Sequence, residues 1–503
     1  MAPKAPGVEM QGACFPWIAP GARESIGVVE ARHDATAATI DLVVIGGGIT
    51  GCAIARDAVA RGLSTVVVER SDLAAGTSGR STKLLHGGLR YLEHGDLALV
   101  RQALREREVT ARLAPGLAEP LRFVVPAWPG RSPGRIKARL GVALYDLLAF
   151  GQALPRGGSM SAHEIGSLAP GLAPGYRGGV AFSDRQTDDI RLTVAIAKDA
   201  VRRGATLRLG ATVVALERSG PGHTVTCRAD DGASFEMRAR VVINATGAWA
   251  DRVRQLAGRS APLLRTSRGA HLVLAGLPLG AALLLAGERP GHRLFAIPWR
   301  GVTLFGTTDV DDAVPERDDP VADDLRLLFR EARRLFPAAG LARGNVLSAF
   351  TGVRPLVRQD GETLRASREH AVHDEDGLIT IVGGKLTTWR LMAIDAVDRA
   401  VARLGQDVRS PDVLLVEPLP PETRPVALDA VLEDEFPRHA GDVVFRRLPI
   451  GHDPREIRRV LPEVVLRMAE RLGWDAQRSR EEQASVLDRL DAASRRVDEA
   501  LSG

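Results

Sequence analysis

Apolar runs that end in glycine recur along the chain, and each predicts a buried strand opening into a turn. The first, Leu42 to Ile45, is continuous, not alternating, which marks a parallel strand covered on both faces. Gly46, Gly48 and Gly51 follow with GxGxxG spacing; a helix and a second strand, Ser64 to Val68, come next, and Glu69 ends that strand. Two later stretches repeat the form. VVINATGAWAD, 241 to 251, runs into Ala245-Thr246-Gly247, and LITIVGGKLTTWRLMA, 378 to 393, leaves its strand at Gly383-Gly384 and opens a helix. A helix over Arg191 to Arg203 and strands containing Val213 and Val214 precede the first of these stretches, and the alternation in Gly301 to Thr307 predicts an antiparallel strand. Past the proline-rich Pro418 to Pro425, helical periodicity covers Asp429 to Phe436, Asp453 to Val460, Pro462 to Leu472 and Glu481 to Leu501.

These placements predict an α/β fold. A Rossmann-like cofactor domain is assembled from three segments, about 41–120, 191–258 and 351–404, within a body spanning 41–410. The stretches 121–190 and 259–350 form an antiparallel-sheet substrate domain, and 411–503 is a linker with a small helical domain. Residues 1–40 lack periodicity and read as a disordered or mis-assigned extension, without the basic start and apolar core of a signal peptide. The longest strongly apolar run, Leu277 to Ala286, is too short to cross a bilayer.

The glycines carry the first chemistry. Gly46 allows a tight turn, Gly48 lets backbone approach a pyrophosphate, Gly51 lets helix and strand pack closely, and the helix start presents free N–H groups to phosphate. Glu69 stands where a carboxylate accepts hydrogen bonds from a ribose, which disfavours a 2′-phosphate. The loop SDLAAGTSGRSTKLLHGGLRYLE, 71 to 93, suits an extended cofactor, with Ser78, Ser81 and Thr82 as donors and Gly87 and Gly88 admitting a flat ring; a plain surface loop is the alternative. Three returns to one cofactor sheet fit FAD better than NAD.

Composition narrows the partners. Lys and Arg number 67 against 62 acids, a net charge of +5, but the charges are interspersed and no nucleic-acid motif appears. Cys14, Cys52 and Cys227 show neither metal spacing nor a disulfide framework, so no metal is expected and a reducing cytoplasm fits. Residues 131 to 150, RSPGRIKARLGVALYDLLAF, pair Arg131, Arg135, Lys137 and Arg139 with Ile136, Leu140, Val142, Leu144, Leu147, Leu148 and Phe150. Such a basic amphipathic helix can lie on a membrane surface, or pack on a core.

The segments GGGITG, TSGRSTKLLHGGLRYLEHGDLALVRQALREREV, FSDRQTDDIRL, INATGAWAD, IPWRGVTLFGTTDVD, TGVRPL and VGGKLTTWR, in this order, resemble the FAD-dependent glycerol-3-phosphate dehydrogenase family from about Asp41 to Ala400. The resemblance implies oxidation of sn-glycerol 3-phosphate to dihydroxyacetone phosphate, with electrons leaving FAD for membrane quinone, at the inner face of the cytoplasmic membrane. A homodimer stays open. It also implies active-site roles for Arg90 and Lys385 and a cofactor site that takes in Lys83, His86, Val213, Thr246, Gly247, Gly384, Leu386 and Thr387.

That reaction needs hydride transfer to flavin, a proton acceptor and cations for a phosphate dianion. Arg354 in TGVRPL is the first choice for the substrate, because its fork suits phosphate or a developing carbonyl oxygen. Arg90, Tyr91, Lys385, Thr308 and Arg368 join it in the expected substrate site. His271 in SRGAHLVL matches a family histidine and is the leading proton acceptor, against a histidine merely packed at a strand start; His86 is the alternative base. Asp309 reads equally as a turn acid or a substrate-side group. Glu369-His370 departs from the family pattern, and the carboxy-terminal part is shorter than usual. Two other readings remain: an oxidase that passes electrons to oxygen, or acts on another phosphorylated polyol, and a flavin-binding protein without turnover.

Overall fold

In the computed structural model the glycine-terminated apolar runs pair side by side. The structure describes residues 39–92, 95–130, 134–149, 151–289, 291–311, 314–316, 319–358, 369–406, 419 and 427–502. Ser234–Asn244, Ile40–Ile45, Thr65–Glu69 and Thr206–Leu209 are parallel neighbours in that order, with Leu42 opposite Val241 on one side and Thr65 on the other. Leu378–Gly383 extends the sheet in parallel beyond Ser234–Asn244, and His370–Glu375 ends it antiparallel.

The continuous apolar run of the first strand has a direct cause. Leu42 and Val44 point into a core with the helices Ile49–Ala60, Asp189–Arg202 and Trp389–Arg403, whereas Val43 and Ile45 face a hairpin core containing Leu216, Val225 and Cys227. Both faces are dry, so neither can be polar.

Among the described residues the second sheet has ten strands and is mostly antiparallel. Val302–Gly306 lies in it, as its alternation predicts, between Leu264–Leu274 and Arg293–Trp299. One boundary moves. Val346–Val357 pairs with Leu264–Leu274 from Leu264 opposite Val357 to Leu274 opposite Val346. The third cofactor-sheet segment therefore begins near His370 and not at 351, because an alternating pattern shows that a strand is half buried without showing which sheet it joins.

The carboxy-terminal unit is helical, with Leu428–Asp434, Pro454–Leu472 and Ala476–Leu501 as its main elements. The break expected at Pro462 is absent, and one helix runs through it. Proline costs an intrahelical hydrogen bond there, but Ile457, Leu461, Val464, Val465 and Met468 form a continuous buried stripe that keeps the two halves in line. The terminal helix reaches the main body, where Val497 and Ala500 join Leu325 and Leu328 in the core of the second sheet. Most of the proline-rich linker lies outside the described residues.

Candidate active site

A cavity of about 1180 Å³ opens between the ends of the parallel strands, the second sheet and the helical unit. That volume exceeds an ordinary small-molecule pocket, as a dinucleotide plus a substrate requires.

The glycine turn forms one end. Gly46 has φ +113°, and a Cβ there would meet the Ala245 carbonyl oxygen at 2.7 Å; a Cβ at Gly51 would sit 1.9 Å from the Gly46 oxygen. Both positions therefore exclude every other residue, the first by backbone conformation and the second by helix–strand contact. Gly48 faces the cavity, where a Cβ would touch only the Ser78 side chain. Glu69 accepts hydrogen bonds from the Gly47 N–H at 2.6 Å and the Ser71 N–H at 2.9 Å, so the acid holds the turn while lining the cavity. Ser78, Ser81, Thr82, His86, Val213, Thr246, Gly247, Gly384, Leu386 and Thr387 also line it. Ser81 is fastened by its N–H and hydroxyl to Asp189 at 2.9 and 2.6 Å, and Ser78 Oγ accepts from the Ile49 N–H at 2.9 Å.

Several expected cofactor residues do something else. Lys83 has a left-handed backbone (φ 61°), and its buried ammonium pairs with the buried Asp189. Gly87 is small because a Cβ would meet Leu104 at 2.6 Å and the Tyr145 hydroxyl at 2.7 Å, and its N–H donates to that hydroxyl. Gly88, at φ +79°, packs under the Tyr91 ring. Both glycines make close packing contacts, and neither is among the residues that line the cavity.

The substrate end is built by strand register. His271 stands opposite Phe350 on one neighbouring strand and Gly306 on the other. The His271 and Phe350 rings stack at 4.7 Å between centroids, and a Cβ on Gly306 would strike the imidazole at 2.8 Å. His271 is 2% exposed; burial first, with Arg354 and Lys83 adding, pushes its pKa down to about 3. The ring is therefore neutral at any ordinary pH. Its Nε2 lies 3.1 Å from the Thr82 hydroxyl, and Nδ1 is buried without a hydrogen-bond partner among the described residues.

Arg354 pairs in register with Ser267 and lies over Gly269, where a Cβ would collide with the guanidinium at 2.2 Å. Its Nη1 donates to Ser267 Oγ and Asp309 Oδ1, each at 3.2 Å, and its Nη2 to Thr307 Oγ1 at 3.0 Å and the Thr308 carbonyl at 3.3 Å. The fork is thus oriented while 23% of its side chain remains exposed. Asp309 orients that guanidinium as well as accepting from Ser267. Thr308 itself is 1% exposed and accepts the Ala270 N–H, so it supports the arginine from behind. Lys385 lines the cavity with its ammonium 3.9 Å from the Tyr91 ring centroid, which brings those two expected residues together. The backbone of Arg90 lies in the short helix Leu89–Leu92, but its side chain and all of Arg368 fall outside the described residues.

Sequence reasoning missed Ser267, Gly269, Gly306, Phe350 and His452. The first four are legible only from register. His452 stacks on the far face of Phe350 at 5.0 Å, so the helical unit contributes a cavity wall, and no periodicity signals this.

The FAD dependent oxidoreductase family model, DAO, matches residues 41–403. A glycerol-3-phosphate dehydrogenase from Synechocystis sp. is 35% identical over 427 residues, covering 79% of this chain and 76% of that protein. The mitochondrial glycerol-3-phosphate dehydrogenase of Mus musculus is 38% identical over 384 residues, 72% of this chain and 52% of that protein, so this chain spans about half the mitochondrial relative's length. Among solved structures, the glycerol-3-phosphate dehydrogenase from Bacillus halodurans complexed with FAD superposes with a TM-score of 0.74 at 25% identity, over 92% of this chain and 96% of that one. The glycine turn, Glu69 and the long cavity fit FAD on their own geometry. The chain belongs to the FAD-dependent oxidoreductases and, within them, to the glycerol-3-phosphate dehydrogenase family, with FAD as its cofactor.

Proposed function

We propose that this chain oxidises sn-glycerol 3-phosphate to dihydroxyacetone phosphate and delivers the electrons to quinone at a membrane surface. The observation that carries the first half is a neutral, buried histidine on the same pair of strands as an oriented arginine, both on the wall of the FAD cavity. Arg354 and Lys385 supply the cations that a phosphate dianion or a developing carbonyl oxygen requires. His271 takes the hydroxyl proton, and its Nε2 already holds one alcohol, that of Thr82. Bound FAD supplies the hydride acceptor. Burial and the nearby cations make the His271 imidazole a weak base in the empty site, and a dianion on Arg354 offsets the cationic part of that depression and raises the basicity as substrate binds.

The second half rests on the helix Arg135–Leu148. Ile136, Leu140 and Leu147 are 79%, 67% and 67% exposed, on one face beside Arg135, Lys137 and Arg139. Large apolar side chains are left in water there while Val142 and Tyr145 pack inward, which suits an interfacial helix better than a core one. No helix among the described residues is long and apolar enough to cross a membrane. The proposal includes attachment to the inner face of the cytoplasmic membrane, as the family resemblance implies.

Anaerobic mixing with glycerol 3-phosphate tests the whole proposal. Bleaching of the flavin absorbance followed by fast reoxidation with a soluble quinone is expected. Reoxidation mainly by oxygen would make the chain an oxidase, and no bleaching would remove the substrate. The L-alpha-glycerophosphate oxidase from Mycoplasma pneumoniae shares the fold, with a TM-score of 0.60 at 20% identity.

A further inference from the structure

We propose that the carboxy-terminal helical unit is a clasp on the FAD-binding loop, and that Arg446 and Arg447 are positioning residues that act on the cofactor through Asp72. The loop from Ser71 to Thr82 forms a wall of the FAD cavity, yet it contains only a single short turn of helix of its own. Its shape is therefore imposed by what grips it.

The grip at its start is ionic and dry. Asp72, 3% exposed, receives two parallel hydrogen bonds from Arg447, at 2.7 and 2.9 Å, and a third from Arg446 Nε at 2.5 Å. Arg447 is itself wholly buried, and its Nη2 and Nε also donate to the Glu435 carbonyl oxygen, at 3.1 and 3.2 Å. Glu435 in turn forms a bidentate pair with Arg191 of the helix Asp189–Arg202, at 2.5 and 2.7 Å. One buried network thus ties the helical unit both to the loop and to a helix under the cofactor sheet. A bidentate carboxylate–guanidinium pair fixes orientation as well as distance, and once buried it cannot be loosened without stranding a charge.

Two further observations connect this grip to the cofactor. Ala74, two residues on, is held at φ 58°, a left-handed backbone that a non-glycine residue keeps only when its surroundings impose it. Its N–H donates to the carbonyl of Gly47 at 3.1 Å, so the loop is joined directly to the glycine turn. Arg446 meanwhile lines the cavity itself, and its other end is held by Asp442. The match to the family model stops at residue 403, so the clasp lies outside the part of the chain that the model describes.

The test is the rate at which the FAD-loaded full-length protein loses FAD on dilution, read as free flavin fluorescence, with far-ultraviolet circular dichroism recorded in parallel. Asp72→Asn and Arg447→Met are each expected to speed release at least tenfold with unchanged secondary structure, and their double variant no more than the faster single one. Glu482→Gln serves as the control, because that carboxylate binds His439 and the Ala440 N–H inside the helical unit and never meets the loop; release within twofold of the parent is expected. Wild-type release rates in Asp72→Asn and Arg447→Met would overturn the clasp, as would equal acceleration by Glu482→Gln. If Arg447→Met does not fold, Arg446→Gln and Asp72→Asn decide the matter, with hydrogen exchange of residues 73–80 in the FAD-free protein as second readout: faster exchange supports the clasp and unchanged exchange overturns it.

Discussion

His271 and Arg354 show how much a single side chain depends on its neighbours. The imidazole is driven down to about 3 by burial and then by the Arg354 and Lys83 cations. A histidine lowered in this way is neutral above that value, so the rate of flavin reduction at limiting substrate, which reports the free enzyme, should show no acid limb from His271 between pH 5 and 8. Replacing Arg354 by Leu removes one depressing charge and should move the imidazole pKa upward, while weakening substrate binding. Stopped-flow bleaching across pH checks both; an unchanged profile and affinity would remove Arg354 from the site. His271→Ala should slow reduction by roughly 10²–10⁴-fold if the ring is the proton acceptor, and a near-parental rate at every pH would reject that role. Of the residues expected at the site, the chemically conspicuous ones, Glu69, His271, Arg354 and Lys385, all line the cavity. Lys83 does not; its ammonium pairs with the buried Asp189, which its local sequence does not reveal.

At the level of elements, the glycine turn and the amphipathic helix behave differently under substitution. Gly51→Ala places a Cβ 1.9 Å from a backbone oxygen, so the helix Ile49–Ala60 must lift from its strand. Loss of FAD retention and a clear drop in melting temperature are expected, measured by flavin content and thermal unfolding. Ile136→Glu with Leu140→Glu should instead leave folding and flavin content unchanged, since both side chains are mostly in solvent. Sedimentation with anionic lipid vesicles should then fall several-fold, and undiminished binding would show that this helix is not the contact. The strands and helices that hold the glycine motif were legible because period and punctuation agree there. Pro462 misled, since proline is a local signal and the stripe from Ile457 to Met468 is a tertiary one.

For the molecule as a whole, the joint between body and helical unit carries its own pH signature. Burial alone would raise the Asp72 carboxyl, but Arg447 and Arg446 more than offset it and hold it at about 2. A carboxylate depressed from its ordinary value contributes stability that is present above about pH 4 and lost as the pH falls through 2. Acid unfolding followed by circular dichroism should therefore lose part of its pH dependence between 4 and 2 in Asp72→Asn, and an identical titration would show that the pair does not couple to folding. The sequence by itself determined the cofactor sheet, the FAD class and the cationic character of the site, because strand period, the glycine fingerprint and the terminal acid are written in short stretches of chain. Only the tertiary structure decided that Arg354 belongs to the second sheet, that Gly269 and Gly306 make room for its guanidinium and for His271, and that the helical unit reaches back to Asp72. Those facts depend on register and on contacts between residues tens to hundreds of positions apart, and local pattern holds no information about either.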